Sequence, residues 1–282
     1  MMNSSILETD CLSGKRILLI GCGNMGKAIL NGWLSSGVDP DSIFIVDPGL
    51  GAGLPGTGIP ARNVSTDGSG FDPADIVVLA VKPGLIEQLS QWAGALISPV
   101  TLLLSVAAGV TVETLKGFFP NTEAVMRVMP NLSASIGQSA STLFASSECR
   151  DFQRRQAALL FQAIGRVFWI EKEEQMHAVT ALAGSGPAYI FLFIEAVTSA
   201  AVAEGLPESL ARELAVATVA GAGNMAVETH LPAEQLRRQV SSPKGTTVAG
   251  LAPLMEGQGN LYDSLKVAIS AAAARSRQLA GE

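Results

Sequence analysis

Residues 15–33 read KRILLIGCGNMGKAILNGW, and the fold is decided by the order of their parts. Ile17-Leu18-Leu19-Ile20 is an unbroken apolar run, the composition of a strand buried on both faces. Gly21, Gly23 and Gly26 follow it in the spacing G-x-G-x-x-G. Met25, Ala28, Ile29, Gly32 and Trp33 then fall at i, i+3, i+4, i+7 and i+8, one face of an amphipathic helix. Glycines set between a strand and a helix are the context in which this spacing binds a dinucleotide. Gly21 permits the tight turn, Gly23 lets backbone approach a pyrophosphate, and Gly26 lets the helix pack close to the strand. The free N–H groups at the helix start, around Asn24 and Met25, hold the phosphate charge. A Gly-rich turn with no ligand is the plainer alternative.

Outward from this unit, Ile43-Phe44-Ile45-Val46 reads as a second strand, ended by Asp47, 21 residues after Gly26. An acid there accepts from both ribose hydroxyls of NAD and repels a 2′-phosphate, which favours NADH over NADPH. Asp47-Pro48-Gly49 is also good turn chemistry. Residues 49–58 contain five glycines and are expected to form a mobile loop. Further apolar runs, each expected as a strand, occupy residues 76–81, 101–106, 124–128, 141–145 and 167–170, with helices between them. Small residues at strand ends, such as Ala107 and Gly109, leave room for a ligand at the edge where open parallel sheets bind. The expected fold class is therefore α/β, a Rossmann-type doubly wound parallel sheet over residues 15–171.

After about Glu171 no strand pattern remains. Residues 172–282 are expected to be an all-α C-terminal domain, with residues 1–14 a disordered tail and not a signal peptide. Residues 178–194 carry no charge, but Gly184-Ser185-Gly186-Pro187 interrupts them, so a buried helix is expected rather than a membrane span. Helices this apolar on several faces need more interior than about 110 residues supply, which implies burial against another subunit.

Of the 282 residues 48% are hydrophobic and 16% charged, with a net charge of −6 and no dense basic run. Nucleic acid and anionic membranes are thereby disfavoured as partners. Three scattered cysteines form neither a disulfide framework nor a metal pattern, which suits the cytoplasm. His177 and His230 lie far apart, so no metal site is expected, and no G-x-S-x-G elbow is present. Two polar breaks remain in the helical half, at Gly184–Pro187 and Ser241–Thr247. In the second, Gly245, Thr246 and Thr247 offer hydroxyls and free N–H groups at a helix start, which suits a carboxylate. An ordinary N-cap by Ser242 or Thr246 explains the same residues equally well.

The chain resembles pyrroline-5-carboxylate reductases over about residues 15–280. The likeness rests on IGCGNMG at 20–26, AVKP at 80–83, SVAAGV at 105–110 and RVMPN at 127–131. Its most specific parts are ALAGSGPAY at 181–189 and SSPKGTTVAGL at 241–251. The resemblance implies hydride transfer from NADH or NADPH to C5 of 1-pyrroline-5-carboxylate, giving L-proline in the last step of proline biosynthesis. It implies a helical domain intertwined with that of a second copy, in a homodimer or a larger assembly of dimers. It also implies that Ala80, Val81, Lys82, Pro83, Ala107 and Gly109 line the nicotinamide half of the cofactor. Lys244, Gly245, Thr246 and Thr247 bind the substrate on this reading, with the Thr247 hydroxyl, the catalytic group, nearest the ring nitrogen. Lys244 replaces the family's usual glycine, and Leu132-Ser133 its common Thr-Pro. Two rivals stand beside it. A reductase of the β-hydroxyacid dehydrogenase type would want a Lys and an Asn soon after Gly184-Ser185-Gly186, where neither occurs. A dinucleotide-binding regulator without turnover has only Lys244 in its favour.

Overall fold

The computed structural model describes residues 9–50, 54 and 56–281. Four residues of the glycine loop expected to be mobile, 51–53 and Pro55, lie outside the described residues, as do residues 1–8 of the expected tail. The rest of that tail is corrected. Thr9–Leu12 is a 3-10 turn, Leu12 is buried, and the Cys11 carbonyl accepts from Gln156 Nε2 at 2.9 Å.

Eight strands form one sheet: β1 (Ile17–Ile20), β2 (Ile43–Val46), β3 (Val64–Ser65), β4 (Ala74–Leu79), β5 (Ile97–Ser105), β6 (Val125–Met129), β7 (Ser139–Ala145) and β8 (Gly165–Trp169). Their order is β3-β2-β1-β4-β5-β6-β7-β8. All neighbours are parallel except β6 and β7, which pair antiparallel. The doubly wound parallel sheet thus carries one antiparallel step. Only the 3-10 turn Leu132–Ile136 joins the two strands, and a parallel crossover needs a dozen residues or more. The two-residue β3 is too short to leave a periodic pattern.

Helices α1 (Asn24–Ser35), α2 (Ile86–Ala93), α3 (Val112–Phe118) and α4 (Asp151–Gln162) cover the sheet. Successive strand residues point to opposite faces, so one chain builds two cores. Ile17, Leu19, Ile43, Ile45, Ile76 and Val78 pack with Ile29, Trp33, Leu160 and Phe161 on one face. Leu18, Ile20, Val77, Leu79 and Leu103 pack with Ile86, Leu89, Leu115 and Phe119 on the other. The Trp33 indole N–H donates to the Leu160 carbonyl at 2.9 Å, so the largest buried ring leaves no polar atom orphaned.

The helical half comprises α5 (Gln175–Val179), a π-turn (Thr180–Gly184), α6 (Gly186–Ala203), α7 (Glu208–Thr229), α8 (Ala233–Gln239), α9 (Thr246–Met255) and α10 (Leu261–Ala280). The change from strands to helices falls near residue 171, but the compact units part elsewhere. Residues up to Gly184 and from Ala272 onward form one unit, and Ser185–Ala271 the other. The helix expected to be buried is not buried within this chain. Residues 175–203, a run long and apolar enough by composition to cross a membrane, expose Ile190, Phe191, Leu192 and Phe193. Four consecutive exposed apolar residues at 100° steps spread bare apolar surface over most of the helix circumference, while the side of Ile194 and Thr198 is half-buried.

Candidate active site

The glycine turn after β1 has a distinct steric reason at each position. Gly21 has φ +94°, and a Cβ there would sit 2.6 Å from the Ala80 carbonyl oxygen and 2.8 Å from Val81 Cγ1. Glycine therefore lets the end of β1 lie against the end of β4 in a conformation that L side chains rarely adopt. A Cβ on Gly26 would overlap the Gly21 carbonyl oxygen. A Cβ on Gly23 would meet nothing within 4 Å, so that side of the turn is open. Gly23 is the N-cap of α1, and no side chain makes a cap hydrogen bond there. The uncapped N–H groups and the helix dipole fit a phosphate. A cleft of about 300 Å³ borders this helix start, lined by Asn24, Met25, Lys27 and Asn31 together with Leu132 and Ser135.

Asp47 stands at the end of β2. Its two carboxylate oxygens accept from Cys22 N at 2.5 Å and from Gly49 N at 2.7 Å. It thus makes the turn that the sequence allowed and also braces the glycine loop of β1. A carboxylate has about four acceptor sites, so both oxygens retain a lone pair for ribose hydroxyls. Burial, and secondly the Asp47 charge, push the adjacent Cys22 thiol up, with Lys27 opposing. The thiol therefore stays protonated and is no nucleophile.

The ends of β4, β5 and β6 continue the same edge. Ala80 N donates to the Ile20 carbonyl at 2.8 Å, while Lys82 and Pro83 are exposed beyond Val81. Ala107 and Gly109 are buried after β5. Gly109 has φ +77°, and a Cβ there would lie 3.2 Å from Leu279. The loop is pinned from a second side as well. Glu173 Oε1 accepts from Val112 N and from Arg127 Nη1, each at 2.8 Å. Arg127 is 4% exposed, and its pairing compensates a charge that would be costly if left alone.

After β6, Asn131 is buried. Its backbone N–H donates to Ser139 Oγ at 3.1 Å and its Nδ2 to the Ala183 carbonyl at 3.0 Å. Its Oδ1 is buried without a partner. Sequence reading gave Arg127, Asn131 and Glu173 no role. A charged residue inside an otherwise apolar strand was the available signal for Arg127. The other two depend on partners 46 to 61 positions away.

In the other unit, Ser241–Gly245 forms a tight turn in which Gly245 N donates to the Ser242 carbonyl at 3.0 Å. Gly245 is the N-cap of α9 and no side chain caps it, so neither Ser242 nor Thr246 performs the ordinary capping role. Lys244 adopts φ +61°, a left-handed conformation that suits glycine far better than lysine. Lys244 and Thr246 are exposed, and Gly245 and Thr247 half-buried. Thr247 lies in the first turn of α9. His177 is buried on α5 with Nδ1 3.0 Å from Ser276 Oγ. Among the described residues no group of three or more His, Cys, Asp or Glu could hold a metal.

A doubly wound sheet, a glycine turn with one open side and an uncapped helix beside it define a dinucleotide-binding oxidoreductase. In keeping with this, a family model described as "NADP oxidoreductase coenzyme F420-dependent" matches residues 16–109, and one described as "Pyrroline-5-carboxylate reductase dimerisation" matches residues 173–279. The pyrroline-5-carboxylate reductase of Pseudomonas aeruginosa is 36% identical over 95% of this chain and 98% of its own. The solved structure of a pyrroline-5-carboxylate reductase from Coxiella burnetii is 35% identical, with a TM-score of 0.86 over 94% of this chain and 98% of that one. The Plasmodium falciparum pyrroline carboxylate reductase, solved with NADP bound, is 24% identical, with a TM-score of 0.79 over 95% of this chain and 98% of that one, a likeness of fold. The chain belongs to the pyrroline-5-carboxylate reductase family.

Proposed function

We propose that the protein reduces 1-pyrroline-5-carboxylate to L-proline with NADH or NADPH. One observation carries the reading: relatives bearing a single name match the dinucleotide half and the helical half together, over 95% of the chain. The reduced nicotinamide supplies the hydride when bound. A protonated cyclic imine is already electrophilic at C5, so the chain's own task is to position it. The C5 carbon gains the hydride, the C=N π electrons move to nitrogen, and the product amine forms without a metal or a strong base.

The residue roles belong to the same proposal. Gly21, Gly23, Asn24, Met25 and Gly26 hold the pyrophosphate and Asp47 the adenosine ribose. Ala80, Val81, Lys82, Pro83, Ala107 and Gly109 line the nicotinamide half. Gly245 and Thr246 cradle the substrate carboxylate, a role supported by the uncapped start of α9. The Thr247 hydroxyl hydrogen-bonds the ring nitrogen, and Lys244 adds a positive charge beside the carboxylate. Residues 172–282 serve as the substrate and dimerisation domain, and the active form is a homodimer or an assembly of dimers. The net charge of −6 and three free cysteines support a cytoplasmic enzyme without nucleic-acid or membrane partners.

Purified protein given pyrroline-5-carboxylate should form proline with a higher kcat/KM for NADH than for NADPH. A clear NADPH preference would remove Asp47 as the selecting residue. Proline formation with neither dinucleotide would favour the regulator.

A further inference from the structure

We infer that Asn131 is a cofactor-binding residue whose side-chain oxygen accepts a hydrogen bond from the carboxamide N–H of the nicotinamide. The proposal rests on the reading that a nicotinamide dinucleotide binds at this sheet edge.

Asn131 is held unusually firmly for a residue in a strand-to-strand connection. Ser139 Oγ takes its backbone N–H, and that hydroxyl is itself paired with Ser141 Oγ at 2.9 Å inside the protein. The Ala183 carbonyl takes its Nδ2. A carbonyl only accepts, so the amide orientation is fixed: nitrogen faces Ala183 and oxygen faces away. Ala183 belongs to the π-turn Thr180–Gly184, and such turns recur at functional sites. The same turn is locked against the end of β6, because a Cβ on Gly184 would overlap Met129 Cε. Two backbone segments are thus fastened together around one asparagine, and its remaining acceptor is left buried and unpaired. Buried polar atoms in native proteins have partners, and an exception calls for a ligand or an ordered water.

The topology selects the ligand group. β1, β4, β5 and β6 are consecutive neighbours in the sheet and parallel, so the Gly21 turn, Ala80, Ala107 and Asn131 all follow strand ends on one edge. β2 and its Asp47 lie on the other side of β1. With the pyrophosphate at the glycine turn and the adenosine ribose at Asp47, the other half of the dinucleotide runs toward β6, three strand spacings or about 14 Å from β1. The carboxamide is the one group at the far end of that half that carries N–H donors. The residue missing a donor therefore stands on the path of the group that offers one.

The test compares equilibrium binding of NADH with that of reduced 3-acetylpyridine adenine dinucleotide, followed by fluorescence or calorimetry without substrate. The acetyl group keeps the carbonyl and replaces only the NH₂ with CH₃. The wild-type protein should bind the analogue about tenfold more weakly, the effect of one lost hydrogen bond. In Asn131→Ala the preference should collapse toward equality. Asn131→Leu, which retains the volume, gives the same reading should Asn131→Ala fail to fold. Equal affinities in the wild type would overturn the proposal, because a water or the substrate nitrogen would then be the donor. A tenfold preference that survives in a folded variant would overturn it too. Absence of binding by either dinucleotide would sink this proposal and the reductase reading together. Binding with no discrimination sinks this one alone.

Discussion

In the sheet unit Trp33, Phe119 and Phe161 are fully enclosed, whereas along α6 the side chains of Ile190 to Phe193 stand between 42% and 64% exposed. The two regions are comparably apolar, and they dispose of their apolar surface differently. The central strands of the sheet unit are buried against helices supplied by the same chain. In residues 185–271, α6 has no buried residue and α7 only Ala211 and Ala215. A helix that is hydrophobic all round belongs inside something larger. The family's dimerisation region, residues 173–279, spans this surface. This unit also holds a polar turn, 241–247, from which a helix starts without a side-chain cap. The contrast separates a region whose sequence completes its own core from one whose sequence leaves it to be completed.

If that polar break is the chemical part of the open region, substitutions there should change rate and leave the sheet unit's stability alone. The largest effect falls on Thr247→Ala. It should lower kcat roughly ten- to a hundredfold, about 1–3 kcal/mol for one hydrogen bond, with a smaller change in KM. The thermal midpoint should stay near that of the wild type. An unchanged kcat in steady-state assays would take the active site away from this loop and leave the fold as it is. Lys244→Gly is expected to have the smallest effect and to show it in two ways. Release from a left-handed backbone should stabilise the protein by about 0.5–1 kcal/mol, net of the entropy glycine adds to the unfolded chain. If the amine also holds the carboxylate, KM for the substrate should rise, by less at high salt. A midpoint that falls would mean that Lys244 makes a contact stronger than its strain.

The strand, the glycines and the helix of residues 17–33 were legible because each announces itself within a few positions. Period, spacing and steric demand are local there. The later helices were legible as a strand-free half for the same reason. The strand β7 was read but its antiparallel direction was not, although the short Pro130–Gln138 connection, which rules out a crossover, could have revealed it. Val64–Ser65 was too short to carry any period. Arg127, Glu173 and Asn131 were illegible as a site because their meaning comes from partners 46 to 61 positions apart. The burial expected for α6 was read as a property of one chain. Composition says that such a helix is covered and does not say which chain covers it.

The most direct test of this contrast is the mass of the protein in solution, measured by multi-angle light scattering over a micromolar dilution series. The account predicts at least twice the 29.2 kDa chain mass throughout, and a shift toward the chain mass, with a lower thermal midpoint, for Leu192→Glu. A wild-type protein that runs as a stable 29.2 kDa monomer at every concentration would contradict it, because the exposed faces of α6 would then need no partner.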